Sequence, residues 1–164
     1  MSKFVMMVGV SGSGKSTTAE RLNGFKVVSS DAIREELYGD ASDQRHPEVV
    51  FQIAHKRVCE FLEVGMNVVL DATNLRKKDR KELLEKISYI PDVKKICWLE
   101  DVSVEDCIKA QDGRERKVPV EVIKKQSRKL QRPELDEGWD YIFISTPPRE
   151  DGMRYVSIIE REKQ

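Results

Sequence analysis

The stretch Gly9-Val10-Ser11-Gly12-Ser13-Gly14-Lys15-Ser16-Thr17 constrains the chain more than any other, because few backbones can use it. An apolar run of strand length, Lys3-Phe4-Val5-Met6-Met7-Val8, precedes it, and Thr18-Ala19-Glu20-Arg21-Leu22 reads as the first turns of a helix. A G-x-x-x-x-G-K-[ST] segment between strand and helix is a loop whose backbone amides close around phosphate oxygens. Glycines permit the tight wrapping, and the helix N-terminus adds partial positive charge. Gly12, Ser13, Gly14, Lys15, Ser16 and Thr17 are therefore the expected contacts of a nucleoside triphosphate, ATP or another. Lys15 would reach its β- and γ-phosphates, and Ser16 would offer a hydroxyl to Mg²⁺.

A length of 164 residues suits one compact α/β domain, read here as 1–164. Lys+Arg and Asp+Glu are both 29, so no net field draws the chain to nucleic acid or to a membrane. A local basic groove is nevertheless enough to hold one strand of polynucleotide. Cys59, Cys97 and Cys107 are widely spaced and lack a C-x-x-C pair, which reads as core thiols in a reducing, cytoplasmic compartment. The short apolar run at the N-terminus reads as the first strand rather than a signal peptide, and no run has membrane-spanning length.

Further along, apolar runs alternate with periodic helical stretches. Strands are expected at 25–29, 68–70, 93–100, 141–144 and 155–159, the last two joined by a turn through Pro147-Pro148 and Asp151-Gly152. Helices are expected at 31–38, with Ser30 or Asp31 as cap, and from Pro47 to a stop at Gly65. In that second helix Val49, Val50, Ile53, Ala54, Val58, Phe61 and Leu62 share a face. Another is expected at 76–88, with Leu83, Leu84 and Ile87 inward and the charges outward. Two more follow at 103–109, opened by Ser103 and Asp106, and at 120–130 behind Pro119. The alternation predicts a mostly parallel sheet with helices on both faces, whose ligand site lies at the C-terminal strand ends.

Those strand ends carry polar side chains. After the second strand, Asp31 and Arg34 stand three residues apart at a helix start, where both could face the phosphate loop. Asp31 is either a base for an attacking hydroxyl or a helix cap; Arg34 either grips a substrate phosphate or is solvated. After the third strand, Asp71, Thr73 and Asn74 either line the same cleft or cap the next helix, and Asp71 is placed to support Mg²⁺ through water. Arg114-Glu115-Arg116-Lys117 forms a charged break between two helices, so Arg114 and Arg116 could close over the phosphates. Charge runs are usually solvated faces, and that reading holds for most of the lysines that follow. Trp98 reads as core, Trp139 as core or site wall, and His46 and His55 have no partner pattern.

Taken together, GVSGSGKST, S-S-D-A-I-R, L-D-A-T-N-L-R, R-E-R-K-V-P-V-E-V-I and E-G-W-D-Y-I-F-I resemble the kinase domain of phage and bacterial polynucleotide 5′-kinases, over residues 3 to about 145. The resemblance implies a P-loop kinase three-layer sandwich that moves the γ-phosphate of ATP, with Mg²⁺, to the 5′-hydroxyl end of DNA or RNA. It implies Lys15 and Ser16 on triphosphate and metal, Asp31 as general base, and Arg34 on the phosphate beside the accepting hydroxyl. Asp71, Thr73 and Asn74 would line the acceptor side. Arg114 would act on the donor phosphates from a lid near 111–118, with Arg116 supporting it. Where the family often carries Arg-Asn ahead of the lid arginines, this chain has Ala110-Gln111. The length leaves no room for phosphatase or ligase domains, so the resemblance implies a stand-alone kinase. A small-molecule kinase with a nucleoside, sugar or nucleotide-sugar acceptor, and a nucleotide-binding regulator with little transfer activity, are the competing readings.

Overall fold

A computed structural model describes residues 1–147 and 155–163. The described strands form one sheet: β1 (Ser2–Val8), β2 (Phe25–Ser29), β3 (Asn67–Asp71), β4 (Val93–Glu100), β5 (Tyr141–Ser145) and β6 (Val156–Glu160), ordered β2-β3-β1-β4-β5-β6. The first five run parallel, and β6 closes the edge antiparallel to β5. The turn expected between the last two strands lies, beyond Pro147, outside the described residues.

β1 is the central strand because it is apolar on both sides, as a parallel strand covered by helices must be. Phe4, Met6 and Val8 face one core with Leu83, Ile87 and Trp139, while Val5 and Met7 face a second with Ala19 and Val69. The strand order reverses at β1, between β3 and β4, and this opens a crevice at its C-terminal end. The phosphate loop leaves β1 at that point.

The helices are α1 (Lys15–Glu20), α2 (Ser30–Tyr38), α3 (Pro47–Glu63), α4 (Lys77–Lys86), α5 (Val104–Lys109) and α6 (Val120–Lys129), with a 3-10 turn at Leu135–Glu137. α3 buries Val50, Ala54, Val58 and Leu62, a narrower stripe than expected, since Val49 is 37% exposed. α4 departs from its expected charge pattern at Arg80, which is fully buried. It precedes Leu83, Leu84 and Ile87 by three, four and seven residues, so it shares their inward face. Its charge is met there by Glu137, with Nε to Oε1 at 2.7 Å and Nη2 to Oε2 at 3.1 Å. The same guanidinium donates to the carbonyls of Asn74, Leu75 and Gln131. One buried cation thus joins the loop after β3 to the segment after α6. A third, smaller core of Val10, Cys107 and Ile123 seats α5 and α6 beneath the phosphate loop.

Candidate active site

The phosphate loop is held from below before any ligand arrives. Gly12 takes a left-handed φ of 86°, and a Cβ there would sit 2.5 Å from the Cys107 carbonyl oxygen. Glycine is thus required twice over, by conformation and by space. Gly14, at φ 94°, turns the chain straight into α1 at Lys15, three residues before the helix expected from Thr18. The Lys15 ammonium donates to the Val10 carbonyl at 3.0 Å across the loop. Burial pushes its pKa down from the ordinary lysine range, against the pull of Asp71. The Ser11 amide donates to Oε1 of Gln126 at 2.8 Å, a tie from the loop to α6 that no sequence pattern announced. Behind α1, Thr18 Oγ1 donates to Glu100 at 2.5 Å and Trp98 Nε1 donates to the same oxygen at 3.1 Å.

Asp31 and Arg34 do face the loop. The helix cap is Ser29, whose hydroxyl accepts the Ala32 amide at 3.2 Å, so neither Ser30 nor Asp31 caps α2. That frees the Asp31 carboxylate, which accepts from Arg34 Nη1 at 2.9 Å and from Arg116 Nη2 at 3.0 Å. Arg34 is 7% exposed, and its Nε has no hydrogen-bond partner among the described residues. A buried guanidinium donor is costly to leave unsatisfied. Such a donor can bond an acceptor from outside the protein.

Asp71 ends β3 and accepts the Ser16 hydroxyl at 2.7 Å. Burial pushes its carboxyl pKa up, opposed by the Ser16 hydrogen bond and the Lys15 charge. A hydroxyl and a carboxylate side by side are the hard oxygen donors that Mg²⁺ suits. Among the described residues no cluster of three His, Cys, Asp or Glu side chains could hold a metal unaided. The capping reading of 71–74 fails, because α4 is capped by Arg76 without a side-chain bond. Thr73 lines the cleft, whereas Asn74 does not: at φ 47° its buried amide donates to the Met7 carbonyl at 2.7 Å. Asn74, expected on the acceptor side, instead fastens the loop to β1.

The charged break after α5 arches over this floor. Arg116 spans the cleft to Asp31, and Arg114 lines it. Gln111 is 5% exposed and clasps the ends of the segment, donating to the Cys107 carbonyl at 3.2 Å and accepting the Val118 amide at 3.0 Å. The departure at Ala110-Gln111 is therefore filled by a new contact. The resulting cleft has a volume of about 810 Å³, at the upper end of the range for small-ligand sites. Phe51, Ala41, Ser42 and Gln44 form part of its wall, and so do Lys117, Lys125 and Lys129 from the charge runs. Trp139 is fully buried and belongs to the core, with Nε1 near Glu137 at 3.4 Å.

This fold and this floor are those of a P-loop nucleotide-binding domain. The chain matches the family model described as "AAA domain" over residues 4–133, and it belongs to that family. A protein from Autographa californica nuclear polyhedrosis virus, assigned by name as a bifunctional polynucleotide kinase/RNA ligase, is 28% identical over 144 residues. That match takes in 78% of this chain and 21% of the viral protein, so the chain spans about a fifth of its length. A chain of the Pnkp1/Rnl/Hen1 RNA repair complex superimposes with a TM-score of 0.66 at 25% identity, covering 79% of this chain and 44% of that one. Kti12 of Chaetomium thermophilum, solved in complex with ADP-AlF3, shares the fold with a TM-score of 0.69 at 17% identity, covering 91% and 92% of the two chains. No described helix is long and apolar enough to cross a membrane.

Proposed function

We propose that the protein is a polynucleotide 5′-hydroxyl kinase that transfers the γ-phosphate of ATP to the 5′ end of DNA or RNA. The observation that carries this reading is Arg34, buried beside Asp31 with an unsatisfied Nε. A neutral sugar hydroxyl can accept from that nitrogen but does not bring it a charge-assisted partner. A nucleotide whose own phosphate lies next to its 5′-hydroxyl does, and it brings the hydroxyl to the carboxylate one helical turn away. The similarity to the viral kinase/ligase and to the RNA repair complex supports the same acceptor. Three free cysteines suit a reducing, cytoplasmic setting.

In this mechanism Lys15 and the loop amides hold the donor phosphates, and Arg114 and Arg116 compensate the charge that spreads over the transferring group. Arg116 exchanges Asp31 for phosphate as the triphosphate enters. Asp31 then takes the proton of the 5′-hydroxyl as its oxygen bonds to the γ-phosphorus and the bond to the β-γ bridging oxygen breaks, releasing ADP. Mg²⁺, held by Ser16 with Asp71 behind it, would supply neutralising charge at the phosphate oxygens.

The test is label transfer from γ-labelled ATP with Mg²⁺ to a 5′-hydroxyl oligonucleotide, to the same oligonucleotide already 5′-phosphorylated, and to a nucleoside 3′-monophosphate. Label is expected on the first and third only. Asp31→Ala is expected to lower transfer by about 10²-fold or more with ATP affinity kept. ATP bound but no label on any of the three acceptors would refute the reading and point to a small-molecule hydroxyl.

A further inference from the structure

Although the chain's formal net charge is +0, its cleft is strongly cationic. Seven Lys and Arg side chains line it, against only two acidic ones, Asp31 and Asp71. Lys15, Arg34, Arg114 and Arg116 have places in the transfer itself. Lys117, Lys125 and Lys129 are left over. Lys125 and Lys129 lie four residues apart on α6, on one helix face and about 6 Å apart along its axis. Both are exposed, and neither has an ion-pair partner among the described residues. Lys124, one position off that face, pairs with Glu121 at 3.9 Å. On α6 the lysines without an ion pair are those that line the cleft.

Phe51 supplies a second, independent observation. It is the one aromatic residue among those lining the cleft, and it sits in the first turns of α3. Its ring is only part-buried and tilts 56° against His55, with centroids 6.3 Å apart. A part-exposed aromatic ring and a row of uncompensated lysines in one cleft combine the two devices of single-strand binding sites, base stacking and backbone charge. A polyanion without bases would use only the lysines.

We propose that Lys117, Lys125 and Lys129 form a track for the backbone phosphates of an unpaired 5′-hydroxyl strand, with Phe51 as a stacking platform for one of its bases. The track rests on the 5′-kinase reading above and extends it: the enzyme engages nucleotides beyond the accepting end. Each phosphate neutralised there releases counterions, so the gain from extra length falls with salt.

The experiment compares a nucleoside 3′-monophosphate with 5′-hydroxyl oligonucleotides of about two to eight nucleotides. Each is assayed at several salt concentrations with wild type, Lys125→Ala/Lys129→Ala and Phe51→Ala. In wild type kcat/KM should climb with length. The double lysine variant should flatten that climb, losing about tenfold on the longest acceptor, and should reduce the slope against log salt by about 1 to 2. Its kcat/KM on the nucleoside 3′-monophosphate should move by less than about twofold, because that acceptor does not reach the track. Phe51→Ala should lose about tenfold on oligonucleotides with little change in salt slope. A wild-type enzyme indifferent to length, or a double variant that keeps the full climb, would overturn the track. Transfer to the nucleoside 3′-monophosphate without any gain from length overturns the track and leaves the 5′-kinase reading standing; no transfer to any nucleotide overturns both.

Discussion

At the scale of single residues, the side chain that best shows how this site is built is Gln111. Its side chain hydrogen-bonds neither Lys15 nor Asp31, yet its two hydrogen bonds fix both ends of the segment that carries Arg114 and Arg116. Gln111→Leu keeps most of the volume and removes both bonds. Losing about 1–3 kcal/mol of ordering in the lid should lower kcat by about tenfold or more, while ATP affinity changes little. Combined with Arg116→Ala the two losses should not add, because both act through the same lid. A lowered Tm with kcat unchanged would reduce Gln111 to a structural tie. The sequence marked this position only as the Ala110-Gln111 departure ahead of Arg114, and a lone glutamine does not announce which bonds it makes. The phosphate loop was legible because glycine and lysine at fixed spacing have few other uses. Asp31 and Arg34 were legible as a pair, but their spacing does not say that Arg34 is buried one donor short. Gln126, Lys125 and Lys129 fell within a charge run whose inner face only the packing of α6 against the phosphate loop selects.

At the scale of elements, β-strands and helices followed their apolar periods closely, and the misreadings sit at helix starts. α1 begins directly behind Gly14 because a left-handed glycine can turn a loop into a helix without any apolar cue. α2 is capped by Ser29, one residue before the positions expected. The contact between α3 and α4 carries a consequence for acid stability. His55 lies between Phe51 and Lys86, whose ammonium donates to Nδ1 at 2.9 Å. Burial first, then the Lys86 charge, pushes the His55 pKa down to about 4, while Glu82 and Asp79 pull the other way. In the unfolded chain the same ring titrates near 6.5. The folded state therefore binds fewer protons than the unfolded state between those values. The stability tied to the neutral ring is present above about 6.5 and is lost as pH falls toward about 4. Allowing for partial exposure, the loss is about 1–2 kcal/mol. Urea midpoints at about pH 7.5 and 4.5 should show His55→Gln losing less stability on acidification than wild type, by about that amount. Equal losses would mean that the ring is protonated as readily in the folded protein as in the unfolded chain.

At the scale of the whole molecule, the sheet order brings the phosphate loop, the β2 and β3 ends and the lid to one crevice, but the order alone does not fix their spacing. Arg80 does much of that. It sits at 0% exposure between the loop that follows β3 and the segment that follows α6, bonded to three carbonyls and to Glu137. Leu75, whose carbonyl it holds, lines the cleft, and the Gln131 amide returns a hydrogen bond to that same carbonyl at 2.9 Å. Burying both charges costs desolvation, so the pair is not a net source of stability when compared with apolar packing. Removing one partner is another matter. Arg80→Met strands the Glu137 carboxylate in the core, which should cost about 3–5 kcal/mol and lower Tm by roughly 10 °C. Glu137 also accepts the Glu134 amide and the Trp139 indole, so its shape must be kept. Arg80→Met/Glu137→Gln removes both charges and keeps one of those two acceptors, since the carboxamide has a single accepting oxygen. The double variant should therefore be more stable than Arg80→Met alone, which urea unfolding of the four species would measure as a favourable coupling. If the double variant regains stability but not kcat, Arg80 is what holds the β3 loop at its distance from the phosphate loop. If it regains both, the packing around β1 sets that distance without the ion pair.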